Sequence, residues 1–363
     1  MTISNVLRRF FVLIIISIFC CGYSQASLKI TGVGKSGLTS GSYDPHELSG
    51  ITYVGSIGSD TYRYLAVSNT QKTIYNLDIK INSDTGAIES AVVVSSLKLA
   101  EGTDLEGIAL FDSKSVLVSD ETGSMIRNYS LTDGSVKSNL TMPSILSSVR
   151  ANRSLESLAV NSTNKSIWTA NEEALTVDGN ASAVDKTNTV RLMKFNSDFS
   201  PAGQWAYIVD SIESAMLTKE LSGVSDMVIL PGGEILVLER ELDGNGFRSR
   251  IYSADISKAT DITGYAGLID QTYTPASKTL LWQKRFGFSD FNNYEGMCLG
   301  PKLKDGSYSI LMISDDNSSS LFNQSLYSLK VAGATVVAPE PASYAVFAIG
   351  IAGLLPFIRR KKA

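Results

Sequence analysis

Short apolar runs recur along this chain in one setting: each opens beside an acidic or hydroxyl residue and is soon followed by a second run ending in oxygen-bearing side chains. The first pair is Glu47-Leu48-Ser49-Gly50-Ile51-Thr52-Tyr53 with Tyr64 to Asn69. The second is Asp104-Leu105-Glu106-Gly107-Ile108-Ala109-Leu110 with Val116 to Glu121. The third is Ser154-Leu155-Glu156-Ser157-Leu158-Ala159-Val160 with Ile167 to Glu172. The fourth is Ser225-Asp226-Met227-Val228-Ile229-Leu230 with Ile235 to Arg240, and the fifth Asn293-Tyr294-Glu295-Gly296-Met297-Cys298-Leu299-Gly300 with Ile310 to Asn317. Third strands follow at Thr73 to Ile81, Met125 to Leu131, Val190 to Phe195, Arg250 to Ile256 and Gln324 to Val331. Fourth strands fit Ile88 to Leu99, Val136 to Met142, Gln204 to Val209 and Thr279 to Phe286. The last unit lacks a fourth strand, but Ser27 to Val33 is a spare one. Repeated four-stranded sheets around an axis predict an all-β fold, a β-propeller closed by its N-terminal strand. Five blades fit, six remain compatible, and a β-sandwich would leave the repeat unexplained. The excursion around Ile212 to Leu217 is expected to carry a short helix.

The two ends read differently. Arg8 and Arg9, the apolar Phe10 to Phe19 and the small-x-small Ser24-Gln25-Ala26 predict a cleaved signal peptide over 1–26. The propeller then occupies 27–331 and a linker 332–338. At 339–363, Pro339-Glu340-Pro341, the apolar Tyr344 to Ile358 and Arg359-Arg360-Lys361-Lys362 resemble the PEP-CTERM sorting signal of Gram-negative bacteria. That resemblance implies a membrane-spanning sorting helix held transiently in the inner membrane and cut by an exosortase, after signal peptidase has acted. The expected destination is the cell surface, the outer membrane or the extracellular matrix.

Charge and cysteine content narrow the chemistry. The formal net charge is −4 and becomes more negative once both basic ends are removed, which argues against nucleic acid as a partner. Cys20 and Cys21 leave with the signal, so Cys298 has no intrachain partner and reads as a small core residue. The chain has 1 histidine, His46, which excludes His-rich zinc sites and leaves it the sole route to a Ser-His-Asp triad. Asp243-Gly244-Asn245-Gly246 looks like part of a calcium loop but lacks the full spacing, and reads as a tight turn.

In an antiparallel pair, the start of the first strand and the end of the second share one face. An inner acidic set falls there: Glu106, Glu156, Asp226 and Glu295. The strict register puts Ser49 at this place in the first unit, and Glu47, two residues earlier, keeps the same side. An outer set comprises Asp120, Glu121, Glu172, Glu239, Asp315 and Asp316. Candidate metal ligands are Glu47, Glu106, Glu156, Asp226, Glu295, Glu239 and Asp315. Crowded carboxylates raise one another's pKa unless a cation sits among them. Oxygen-only donors favour Ca²⁺ first and Mg²⁺ second, with Arg240 and Arg153 as alternative counter-charges. Capping backbone N–H groups within each blade would make the acids recur equally well, and that reading stays open.

Several of these motifs resemble the phytase-like propeller domain described as "esterase-like activity of phytase". They are Asn293-Tyr294-Glu295-Gly296-Met297, Gly300-Pro301, Asp305-Gly306, Ile313-Ser314-Asp315-Asp316-Asn317, Leu238-Glu239-Arg240 with Arg250-Ile251-Tyr252, and the two openings at Glu47 and Asp104. The resemblance spans residues 28 to 331. It departs at Ser157 and Met227, where glycine usually follows the acid. It implies an extracytoplasmic propeller and a phosphoesterase activity. On that reading Glu106 and Glu295 are catalytic carboxylates and Arg240 neutralises charge on phosphate. The alternative is a non-catalytic, calcium-binding surface or exopolysaccharide-matrix protein; a one-metal lactonase is a third possibility.

Overall fold

The computed structural model describes residues 27–215, 220–317 and 324–334. The expected signal peptide, linker beyond residue 334 and sorting tail lie outside the described residues, within which no helix is long and apolar enough to cross a membrane.

After β1 (Lys29–Gly37), the chain lays down four-stranded antiparallel sheets in sequence. Blade 1 is β2 (Leu48–Gly58), β3 (Thr61–Ser68), β4 (Thr73–Ile81) and β5 (Ile88–Lys98). Blade 2 is β6 (Leu105–Asp112), β7 (Ser115–Asp120), β8 (Met125–Ser130) and β9 (Val136–Asn139). Blade 3 is β10 (Ala159–Val160), β11 (Ile167–Ala170), β12 (Asn188–Phe195) and β13 (Pro201–Val209). Blade 4 is β14 (Leu221–Ile229), β15 (Ile235–Asp243), β16 (Gly246–Asp255) and β17 (Ser277–Phe286). Blade 5 is β18 (Asn293–Lys302), β19 (Tyr308–Asp315) and β20 (Ser325–Ala332). In blade 5 the fourth strand is β1, paired with β20 from Lys29↔Ala332 to Gly37↔Ser325. The fold is therefore a five-bladed propeller closed by its N-terminal strand.

Of the helix expected at Ile212 to Leu217, the described residues 212–215 form none. Ile212 instead makes a bridge to Val184, and 213–215 continue as bend and irregular chain, while 216–219 lie outside the described residues. A single 3₁₀ turn, Ser144–Ser148, links blades 2 and 3.

Burial falls from the axis outward. β14 is buried along its whole length, whereas the outermost β17 is mostly part-exposed. Five apolar clusters fill the five gaps between blades; Leu238 and Ile251 of blade 4, for example, pack on Tyr294 and Met312 of blade 5. Both faces of the middle strands thus meet a neighbouring sheet, and the hydrophobic effect acts around the ring.

The inner strands β2, β6, β10, β14 and β18 touch in order around the axis. Four pairings carry a bulge near the inner strand's start, at Ser49, Glu106, Ser225 and Glu295. Glu156 takes the matching place in blade 3, between the Leu155↔Asn171 and Ala159↔Trp168 pairs. A bulged residue leaves the ladder and re-aims its side chain.

The residue after the bulge makes the seam. A Cβ on Gly107 would lie 2.6 Å from the Glu156 carbonyl oxygen, and one on Gly296 2.5 Å from that of Ser49; Gly50 abuts the Glu106 carbonyl in the same way. Glycine is needed there for close approach of neighbouring blades.

Candidate functional site

The bulges aim Glu106, Glu156 and Glu295 into one mouth of the axial channel. Arg240, from β15, lies among the acids. Its Nη2 donates to Glu172 at 2.6 Å and to Glu156 at 3.3 Å, and its Nη1 donates to Glu295. Asn293 donates to the same Glu295 oxygen at 2.7 Å. Arg153 holds the other oxygen of Glu172 at 3.0 Å. Burial works against the charged guanidinium, but Glu156 and Glu172 outweigh it and hold Arg240 above its ordinary value.

The blade 2 side of the mouth has less compensation. One oxygen from each of Asp104, Glu106 and Glu121 lies within 4.8 Å of the others, and the same holds for Glu121, Glu156 and Glu172. Burial lifts the Glu106 carboxyl well above its usual range, and Asp104, Glu121 and Asp315 add to the shift. Burial likewise lifts Glu121 to about 7 and Asp315 to about 6, and raises Glu156 and Asp104. A cation among them would relieve this crowding.

The hydroxyls in the ring fit a hard cation. Ser49 and Ser225 occupy the two bulges that lack an acid. Ser225 is buried, and its Oγ has no hydrogen-bond partner. Ser49 Oγ faces the Glu106 carboxyl but meets no partner at good bonding geometry. An unsatisfied buried hydroxyl is unfavourable, and an oxygen-only donor set suits Ca²⁺ or Mg²⁺.

Of the other expected ligands, Asp226 and Glu239 stand elsewhere. Asp226 is not in the mouth. The bulge falls on Ser225, one residue earlier, so Asp226 takes the seam position. Its Oδ1 accepts from the N–H of Leu158 at 3.1 Å and of Met227 at 2.8 Å, and its Oδ2 from Met297 at 2.6 Å. It ties blades 3, 4 and 5 together at the channel waist, and burial pushes its carboxyl up to about 8 against the pull of these donors. Glu239 points away from the axis, because neighbours on a strand face opposite sides. It accepts from Tyr207 at 2.7 Å and from Lys278 at 2.5 Å. Asp120 is bound by Arg127 at 2.6 Å.

Glu47 and Asp315 lie on the blade 1 and blade 5 rim, near enough for Glu47 to raise the Asp315 pKa after burial and Asp316. Glu47 accepts from Thr70. His46 stands beside them, half-exposed, with Nδ1 3.2 Å from Asp316 and Nε2 2.9 Å from Asp44. Its hydrogen bond to Asp316 raises its pKa.

A further acidic triad, Glu213, Glu241 and Asp243, is filled by guanidinium groups. Arg250 meets Glu241 at 2.9 Å and Arg285 meets Asp243 at 2.5 Å. Asp243 to Gly246 is a tight hairpin, with Asp243 accepting from the Asn245 N–H at 2.8 Å. Cys298 is a free, buried thiol.

Asp104 was missed as a ligand, although it stands two residues before Glu106, the same spacing that nominated Glu47. Glu121 and Glu172 were assigned to the outer set; they sit just past β7 and β11 and turn inward.

No curated protein matches the chain significantly. Among solved structures, Myxococcus xanthus glutaminyl cyclase is 10% identical with a TM-score of 0.39, covering 84% of this chain and 98% of its own. A luciferin-regenerating enzyme is 12% identical with a TM-score of 0.36, covering 86% and 98%. A streptogramin B lyase is 9% identical with a TM-score of 0.35, covering 86% and 100%. These likenesses carry no argument about activity. The family described as "Phytase-like: Esterase-like activity of phytase" matches residues 46–318. That span runs from the rim histidine to the end of the acidic cluster in blade 5, and the chain belongs to this phytase-like family.

Proposed function

We propose that the acidic mouth makes this protein a divalent-cation-dependent phosphoric ester hydrolase. The observation that carries the reading is the carboxylate triad Asp104–Glu106–Glu121, which, unlike the adjoining Glu121–Glu156–Glu172 with its Arg240 and Arg153 pairs, has no salt bridge among the described residues. Ca²⁺ or Mg²⁺ held there would polarise a phosphoryl oxygen and lower the pKa of an attacking water.

The chain's own residues have narrower tasks. Asp104, Glu106 and Glu121 hold positive charge in the mouth. Glu121 is oriented by the Ser154 N–H at 2.7 Å. Arg240 is already committed to Glu156, Glu172 and Glu295. It therefore sets the net charge of the mouth and orders Glu295, rather than clamping phosphate as first expected. Before this site, we propose, the signal peptide directs export, and the PEP-CTERM-like tail directs surface sorting through an exosortase.

That same commitment of Arg240 favours a second reading. With Arg240 paired and unable to meet an anionic ester, Ca²⁺ would serve stability or polysaccharide binding in a surface or matrix protein. Turnover of an aryl phosphate with added Ca²⁺ or Mg²⁺ decides between them. The hydrolase reading expects turnover that falls at least about a hundredfold in Glu106→Gln and Glu121→Gln, and also falls in Glu295→Gln. Wild-type protein that turns over no ester with either metal, yet melts higher with Ca²⁺, overturns it in favour of the second.

A further inference from the structure

The axial channel changes character below Asp226. Leu158 and Met297, whose N–H groups bond Asp226, send their side chains into a separate funnel at the far mouth. Ile51, Ile108, Leu158, Met227 and Met297 line it, one from each blade, joined by the residue two places further along each inner strand. Period two makes this ring of aliphatic groups as regular as the acidic ring above it. The funnel has a volume of ≈ 350 Å³, roughly twice that of a cavity that takes one benzene, which is room for a medium-length acyl chain. Pockets of such size that bind small molecules are mostly apolar with a few placed polar groups.

The lip supplies those groups. No acidic residue lines the funnel among the described residues. Lys165, exposed, lines its edge. Lys302, also exposed, holds its ammonium 5.8 Å over the ring of Tyr308, another lining residue. Val54 and Ile57 of β2 are 38% and 48% exposed toward the same end.

We infer that this funnel binds a single-chain fatty-acid carboxylate, its tail resting on the buried aliphatic ring as a floor and walled by the residues two places further along, its head between Lys165 and Lys302. Apolar burial supplies the attraction, and the two ammonium groups select an anionic head over a neutral one. The site is independent of the acidic mouth and of any reaction there.

Calorimetric titration of the purified protein with dodecanoate, dodecanol and acetate tests the inference. One dodecanoate per chain is expected, with dodecanol weaker and acetate silent. Ile229→Trp, which fills the funnel, should weaken dodecanoate at least about tenfold. Lys165→Glu with Lys302→Glu changes only exposed positions and keeps the test open if the tryptophan variant does not fold. It should weaken dodecanoate and leave dodecanol unchanged. Absence of dodecanoate binding, equal affinity in a folded Ile229→Trp, or equal affinity in the double lysine variant would each overturn it.

Discussion

Blade 2 and blade 4 share one strand plan and meet the axis with opposite charge. Blade 2 offers Glu106 at its bulge, Gly107 at its seam, and Asp104 and Glu121 alongside. Blade 4 offers Ser225 at the bulge, Asp226 at the seam, and the guanidinium of Arg240. Blade 2 concentrates acid in Asp104, Glu106 and Glu121, for which no salt bridge forms among the described residues. The other neutralises the acids of blades 3 and 5 and uses its own carboxylate to bind backbone. The difference teaches that an acid's role in this ring depends on a single-residue register choice. At the bulge it faces the channel; one place later it is a structural acceptor.

Removing the cation of blade 4 should break the contrast most severely. Arg240→Met leaves Glu156, Glu172 and Glu295 crowded and buried, and should cost about 3–5 kcal/mol at pH 8. Because burial raises the Glu156 carboxyl, part of that loss should return at pH 5. Urea denaturation at both pH values measures it, and a loss below about 1 kcal/mol would mean that the pairs contribute little.

Next in size is Asp226→Ala, which orphans three buried N–H donors in three blades. A loss of about 3 kcal/mol or more is expected, whereas Ser225→Ala, one residue away, should stay within about 0.5 kcal/mol. If the two variants behaved alike, the assignment of bulge and seam would be wrong.

Gly107→Ala probes the corresponding seam in blade 2. Its Cβ would meet the Glu156 carbonyl at 2.6 Å and the Leu158 nitrogen at 2.9 Å, so a loss of about 1–3 kcal/mol is expected from forced separation of the blades. The loss is read from the same denaturation curves.

The gentlest effect is on pH dependence. Burial raises the Glu121, Asp315 and Asp226 carboxyls to about 7, about 6 and about 8. The native state therefore binds more protons than the unfolded chain above the ordinary carboxylate range. Stability of the metal-free protein is full below that range, and declines as pH rises through it and on through 6 to 8. Ca²⁺ should flatten the decline in wild type and fail to do so in Glu121→Gln. Melting temperatures across that range, with chelator or with Ca²⁺, provide the check.

The ring was legible because its signals are local. Apolar runs, their spacing and the spare strand at the N-terminus specify five sheets and the closure. Glu106, Glu156 and Glu295 were legible for the same reason, since each opens an inner strand. Asp226 was misplaced because a β-bulge shifts register without any mark in composition. Its signal was the seam itself: wherever glycine follows the bulge two backbones touch, and a carboxylate in that slot has backbone for neighbours. Glu239 and Arg240 could not both face the axis, and strand alternation alone does not say which one does. The partners settle it: Tyr207 and Lys278 claim Glu239. Nor does spacing reveal that Glu121 and Glu172 turn inward, because they sit just past their strands, where period two no longer applies.

The pairing of Lys29–Gly37 with Ser325–Ala332 joins the two extremes of the folded chain. Contacts of such long sequence separation form late and slow folding. While the chain is still being made, the circle has a gap and both of its flanks are open edges. Only when the last strand emerges can the first one leave solvent and complete the sheet. Assembly of this protein is thus timed by its final segment, and a chain shortened before residue 325 would have all four other blades and no finished ring.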